Sequence, residues 1–156
     1  MSEQREDPVK ISDDLLEKSG AAIMAADFDA FRPHFAVPQK LETFDGQRWI
    51  DSPEVLEEVF RDIVTYMRTT GVTDLIRHCV EASYKGPATI VTTYETRMLR
   101  GTELIQRPFP GFSVLRFSSD GWQVSGCVVA IADAPEYSRA LIGKAAGNDK
   151  PLRPEA

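Results

Sequence analysis

The chain has 156 residues, 42% hydrophobic and 27% charged, with a formal net charge of −6. That length fits one domain burying about two-thirds of its unfolded surface, and the acidic balance excludes a phosphate-backbone partner, which needs clustered cations. No run approaches the ~18 apolar residues of a membrane span. The charged start Glu3-Gln4-Arg5-Glu6-Asp7 has no apolar stretch behind it, so the expectation is a cytoplasmic protein without a signal peptide.

Met1 to Lys10 is polar and interrupted by Pro8, and reads as a mobile lead-in. Ser12 is predicted to cap the first helix, with Asp13 and Asp14 at its positive end. Leu15, Leu16, Ser19, Ala22, Ile23 and Ala26 then recur at helical spacing. Asp27 should cap a second, short helix that carries Phe28 and Phe31 to the core, with Pro33 and Pro38 bracketing its exit. Asp45-Gly46, between two short strand-like runs, predicts a hairpin because Gly tolerates positive φ. Ser52-Pro53-Glu54 opens the clearest helix, with Pro in the first helical position. Leu56, Val59, Phe60, Ile63 and Met67 form its apolar stripe, and Gly71 ends it.

From Asp74 onward the period changes to two. Strands are predicted over 74–84, 89–99, 103–117 and 122–131. Pro108, Pro110 and Gly111 interrupt the third, marking a bulge, a bend or an edge. Pro135 starts a terminal helix through Leu141, and residues 144–156 read as a disordered tail. No linker or repeat divides residues 1–143, which are read as a single domain. The two cysteines, Cys79 and Cys127, lack metal-ligand spacing and read as small core residues.

Helices first and an antiparallel run last is an order that resembles the nuclear transport factor 2-like superfamily, specifically its SnoaL-like branch. Ala26-Asp27-Phe28-Asp29-Ala30-Phe31, the Asp45-Gly46 hairpin and the closing Leu115-Arg116-Phe117, Asp120-Gly121-Trp122-Gln123-Val124 carry the resemblance. It implies an α+β fold, a cone-shaped barrel of a strongly curved, mainly antiparallel sheet over three N-terminal helices. It also implies a homodimer through the outer sheet face. Some members, such as ketosteroid isomerase, scytalone dehydratase and the polyketide cyclases, are enzymes, and others only bind proteins or small ligands. Fold alone does not choose between them.

If the chain is an enzyme, the resemblance implies cofactor-free acid/base chemistry (isomerisation, cyclisation or dehydration) on an apolar substrate. Such chemistry needs a base and a hydrogen-bond donor converging inside the cone. His34 and Tyr94 are the candidate catalytic residues, and Tyr66, His78 and Glu95 the candidate ligand contacts. Each has a plainer reading. His34 serves as well as a solvent-facing or capping histidine, and Tyr66 as core filling with a wet tip. His78, sharing a strand face with Ile76, Val80, Ala82 and Tyr84, serves as a buried, hydrogen-bonded core histidine. Strand 89–99 offers two faces, Tyr94 with Thr92 and Thr96 on one, Glu95 with Arg97 on the other, and a one-residue shift exchanges them. Phe109, Phe112, Phe117 and Trp122 read as packing residues.

No phosphate loop, His-Glu-x-x-His, Cys-x-x-Cys or Gly-x-Ser-x-Gly occurs. Neither a metal nor a cofactor is expected. The expectation is therefore a small-molecule-binding protein or cofactor-free enzyme, with a non-catalytic homodimeric module as the alternative.

Overall fold

A computed structural model describes residues 5–131 and 134–143; the expected tail lies outside the described residues. Helix α1 (Pro8–Ala25) begins earlier than the sequence suggests. The Asp7 carboxylate accepts from the Val9 amide at 3.0 Å, and Pro8 presets the first turn. Ser12, the expected cap, is instead buried within the helix, 2.8 Å from the Thr92 hydroxyl. Pro8 to Lys10, expected to belong to the lead-in, are therefore helical. Asp27 caps α2 (Phe28–Phe31) through the Ala30 amide, as expected, and a 3₁₀ turn (Arg32–His34) follows.

Strands β1 (Gln39–Thr43) and β2 (Gly46–Ile50) form the hairpin around Asp45. Helix α3 (Pro53–Thr70) is capped by the Ser52 hydroxyl and closed by Gly71 at φ 80°. Its expected stripe is buried in full, with Val64 added. Strands β3 (Asp74–Tyr84), β4 (Thr89–Arg100), β5 (Glu103–Leu104), β6 (Phe109–Ser118) and β7 (Gly121–Val129) follow, then helix α4 (Pro135–Ile142).

The seven strands form one sheet in the order β2-β1-β7-β6-β4-β3, with β5 added beside β4. Every pairing is antiparallel except β1 with β7. The sheet is curved and does not close on itself. It is thus an open cone rather than a sealed barrel, with α1 laid along the edge strand β3.

One large apolar cluster joins α3, α4 and the middle of the sheet around Phe31, Phe60, Met98 and Ile131. A smaller one, Ile11, Leu15, Ile90 and Leu115, seals the α1 end. Burial of the side chains in these clusters is the main term holding helices to sheet, at about 25 cal/mol per Å² of apolar surface.

Two neighbouring strands treat the alternating pattern differently. Strand β4 alternates without a break, burying Ile90, Thr92, Tyr94, Thr96 and Met98. Strand β3 carries a bulge: Cys79 pairs with Tyr94 and Glu81 with Thr93, leaving Val80 as the extra residue. Before the bulge the odd positions Arg77 and Cys79 turn inward, and after it the even positions Ala82 and Tyr84 do. Val80 is left 64% exposed. The expected single face of Ile76, His78, Val80, Ala82 and Tyr84 therefore does not exist, because an inserted residue inverts the alternation.

Candidate binding cavity

Inside the cone lies a cavity of about 80 Å³, the room of roughly two or three waters at ~30 Å³ each. Drug-sized ligand pockets run to ~300–1,000 Å³, so this one suits a small guest. Its walls are mostly apolar, with Leu15, Ile23, Phe31, Ile63, Phe109 and Leu115 among them. Polar groups also line it, Arg77, Tyr94, Ser113, Cys127 and Tyr137 among them.

Tyr94 owes its place to two features of the sheet. The unbroken alternation of β4 turns it inward, and its cross-strand partner on β6 is Gly111. A Cβ on Gly111 would meet the Tyr94 ring and hydroxyl at 2.3–2.6 Å, so the ring lies against β6 in space that any other residue would fill. Burial pushes the Tyr94 hydroxyl pKa well above its usual range, with the neighbouring Cys127 adding to the rise. Arg77 and a hydrogen bond with Ser113 oppose it. Burial likewise pushes the Tyr137 hydroxyl up to about 12 and the Cys127 thiol up to about 12, with Arg77 again opposing. All three groups are therefore neutral at pH 7: two phenols that donate hydrogen bonds and an unreactive thiol.

Arg77 is the one charged side chain among the described wall residues. The bulge at Val80 fixes which way it faces. One of its terminal nitrogens donates to the Leu16 carbonyl at 2.8 Å and to the Ser19 hydroxyl at 2.7 Å. That nitrogen sits 3.2 Å from where a Cβ on Gly20 would be. Its Nε is shielded from solvent and has no hydrogen-bond acceptor.

The other expected site residues lie elsewhere. His34 is half-buried in the 3₁₀ turn and is not part of the cavity wall. Burial, with help from Lys18, lowers its pKa, so its imidazole is neutral at pH 7. Tyr66 packs against Tyr137, ring centroids 4.9 Å apart, and stands outside the wall with its pKa raised chiefly by burial. His78 is exposed on the opposite face of β3, so the expected buried histidine is corrected by the bulge. Glu95 is turned away from the cavity and pairs with Arg97 along the strand at 3.1 Å. That is the exposed partnership rather than the buried one. Of the aromatics read as packing residues, Phe109 is buried and Trp122 packs against the smaller cluster; Phe117 is exposed but lies against Trp122 with ring centroids 5.4 Å apart, and Phe112 is exposed.

Arg77 is the residue sequence reasoning missed. An arginine at an odd position of β3 reads as solvent-facing unless the bulge is known, and nothing in Cys79-Val80-Glu81 announces one.

No family model and no curated protein matches the sequence. Solved structures do match the fold. A domain of unknown function with a cystatin-like fold from Nostoc punctiforme PCC 73102 superposes with a TM-score of 0.63 at 14% identity, covering 82% of this chain and 80% of that one. An NTF-2-like protein of unknown function from Shewanella oneidensis MR-1 gives 0.57 at 11%, covering 76% and 94%. A ketosteroid isomerase-like protein from Erwinia carotovora atroseptica SCRI1043 gives 0.58 at 15%, covering 78% and 94%. The chain has the nuclear transport factor 2-like fold.

Proposed function

We propose that the chain is a small-molecule-binding protein that holds its ligand inside the cone by apolar contact and a few fixed hydrogen-bond donors. The observation that carries this reading is the chemistry of the wall. Among its described residues there is no carboxylate or imidazole, and its phenols and thiol are neutral at pH 7. A proton-abstracting enzyme needs a resident base within hydrogen-bond reach of its substrate, and this wall supplies donors instead. The reading keeps to the ligand-binding side of the SnoaL-like resemblance.

The test is a titration of isotope-labelled protein with butanone, a small neutral ketone, followed by amide NMR shifts. Shifts confined to β4 and β6 around Tyr94 and Ser113, and abolished by filling the cavity with Ser113→Leu, are expected. Shifts only on the outer sheet face, or identical shifts in the filled variant, would contradict the reading.

The outer sheet face supports homodimerisation as part of the same proposal. Trp49 and Phe112 are 58% and 42% exposed there, and both border an open groove of about 810 Å³. Exposed apolar groups gathered on one face mark an interaction surface. A second copy of this chain is the proposed occupant.

A further inference from the structure

Resting on the ligand-binding reading, we propose that Arg77 is the counter-charge of the cavity and that the ligand is a short, otherwise apolar monocarboxylate. Three independent placements converge on it. The β3 bulge turns this one arginine into an apolar wall that its sequence position would have kept it out of. Gly20 on α1 leaves the space in which the guanidinium is held. The helix occupies one nitrogen only, through Leu16 and Ser19, while Nε stays shielded and without an acceptor.

No carboxylate of the described residues forms an ion pair with Arg77. Arg77 also borders a groove outside the cavity together with Asp13 and Glu17, and neither carboxylate lies within ion-pair distance of it. Asp13 accepts the Cys79 amide at 2.7 Å. Arg77 as a whole is half-buried, but its Nε is shielded and without an acceptor, and a buried polar group is stabilised only by a hydrogen-bond partner. An arginine fork matches a carboxylate in both charge and shape. The hydroxyls of Tyr94 and Tyr137 in the same wall add donors for the remaining lone pairs.

Charge and volume narrow the class further. One guanidinium balances one negative charge, so a doubly charged phosphate would be left with buried, uncompensated charge. The space of about 80 Å³ takes a short chain rather than a ring system. The apolar majority of the wall favours a hydrocarbon remainder.

The full-length protein is titrated by calorimetry and amide NMR with sodium butyrate, with its neutral isostere butyramide, and with sodium chloride at matched ionic strength. Butyrate is expected to bind roughly tenfold or more tighter than butyramide, the usual advantage of a charge-assisted hydrogen bond. Chloride should not reproduce the butyrate shifts. Arg77→Met and Arg77→Gln should both bring butyrate affinity down to that of butyramide measured on the same variant. A butyrate affinity no better than butyramide, a chloride response equal to it, or an advantage that survives both substitutions would overturn the proposal. The butyrate-to-butyramide ratio of the unaltered protein decides the matter even if a variant does not fold. Butanone and butyramide binding without a butyrate advantage would remove the carboxylate and keep the cavity reading; the absence of shifts with all three would remove both.

Discussion

Strands β3 and β4 lie side by side, are almost equally long and carry equally clear alternation, yet only one obeys it. On β4 every second side chain from Ile90 to Met98 is buried, and Glu95 and Arg97 pair outside. On β3 a single extra residue, Val80, inverts the pattern halfway, so that Arg77 and Cys79 face in while His78 faces out. The regular strand supplies packing and a positioned phenol. The irregular one supplies the cavity's charge. A local departure from regular pairing is what places a polar group in an otherwise apolar wall, consistent with bulges re-aiming side chains at sites.

Four changes would break or sharpen that contrast. Met98→Ala removes a side chain with no solvent exposure from the regular strand, and should cost about 2–5 kcal/mol of unfolding free energy by denaturant titration. A cost below about 1 kcal/mol would mean that β4 is not the packed wall described. Gly111→Ala places a methyl into the Tyr94 ring. The ring must move, with an expected loss of about 1–3 kcal/mol and an altered near-ultraviolet tyrosine signal. An unchanged signal would show that Tyr94 does not lie over β6.

The third change is alkaline titration, which reads the neutral wall. Cys127 and Tyr137 have folded pKa values of about 12, above ordinary values of 9.0 and 10.0. As pH rises the unfolded chain loses these protons first, so the folded state binds more protons and stability falls with pH. The stabilisation is complete below about pH 9 and is lost between about pH 9 and 12. Each proton held differently contributes a slope of about 1.4 kcal/mol per pH unit. Cys127→Ala and Tyr137→Phe should each flatten that decline, and a decline unaffected by either would place its origin elsewhere. The smallest effect belongs to the outward side of the bulge. His78→Ala and Glu95→Gln should each change stability by no more than about 0.5 kcal/mol and leave butanone binding intact. A large loss of binding in either would restore the ligand role expected from the sequence.

The outer face provides a separate comparison with the inner one. Phe112 alternates on β6 with the buried Gly111 and Ser113 and points outward, so if the chain pairs through this face as proposed, Phe112→Glu should lower the mass measured by light scattering from that of a dimer to that of a monomer. A mass unchanged by Phe112→Glu and Trp49→Glu would remove the outer face as the interface between copies.

Much of the fold was legible because it rests on local chemistry. Pro53 after Ser52, Gly71 at positive φ, Asp27 before Phe28 and Asp45-Gly46 each act within a few residues, and each ended or began an element where expected. The stripe from Leu56 to Met67 was legible because one helical period repeats it against a single apolar surface. The start of α1 was misread because two capping residues compete there. Asp7 followed by Pro8 captures the first turn, and Ser12 is withdrawn to bond with Thr92, eighty positions away in sequence.

The sequence by itself determined the succession of helices and strands, the apolar face of α3 and the two alternative faces of β4, since backbone preference and periodicity are properties of neighbouring residues. Tertiary structure alone decided which face of β4 turned inward, that Val80 was extruded from β3, and that Arg77 rather than His78 met the cavity. Those outcomes depend on the register between strands and on the groups across the cone, Gly111 against Tyr94 and Gly20 against Arg77. Register is a relation between distant segments, and no single stretch of the chain encodes it.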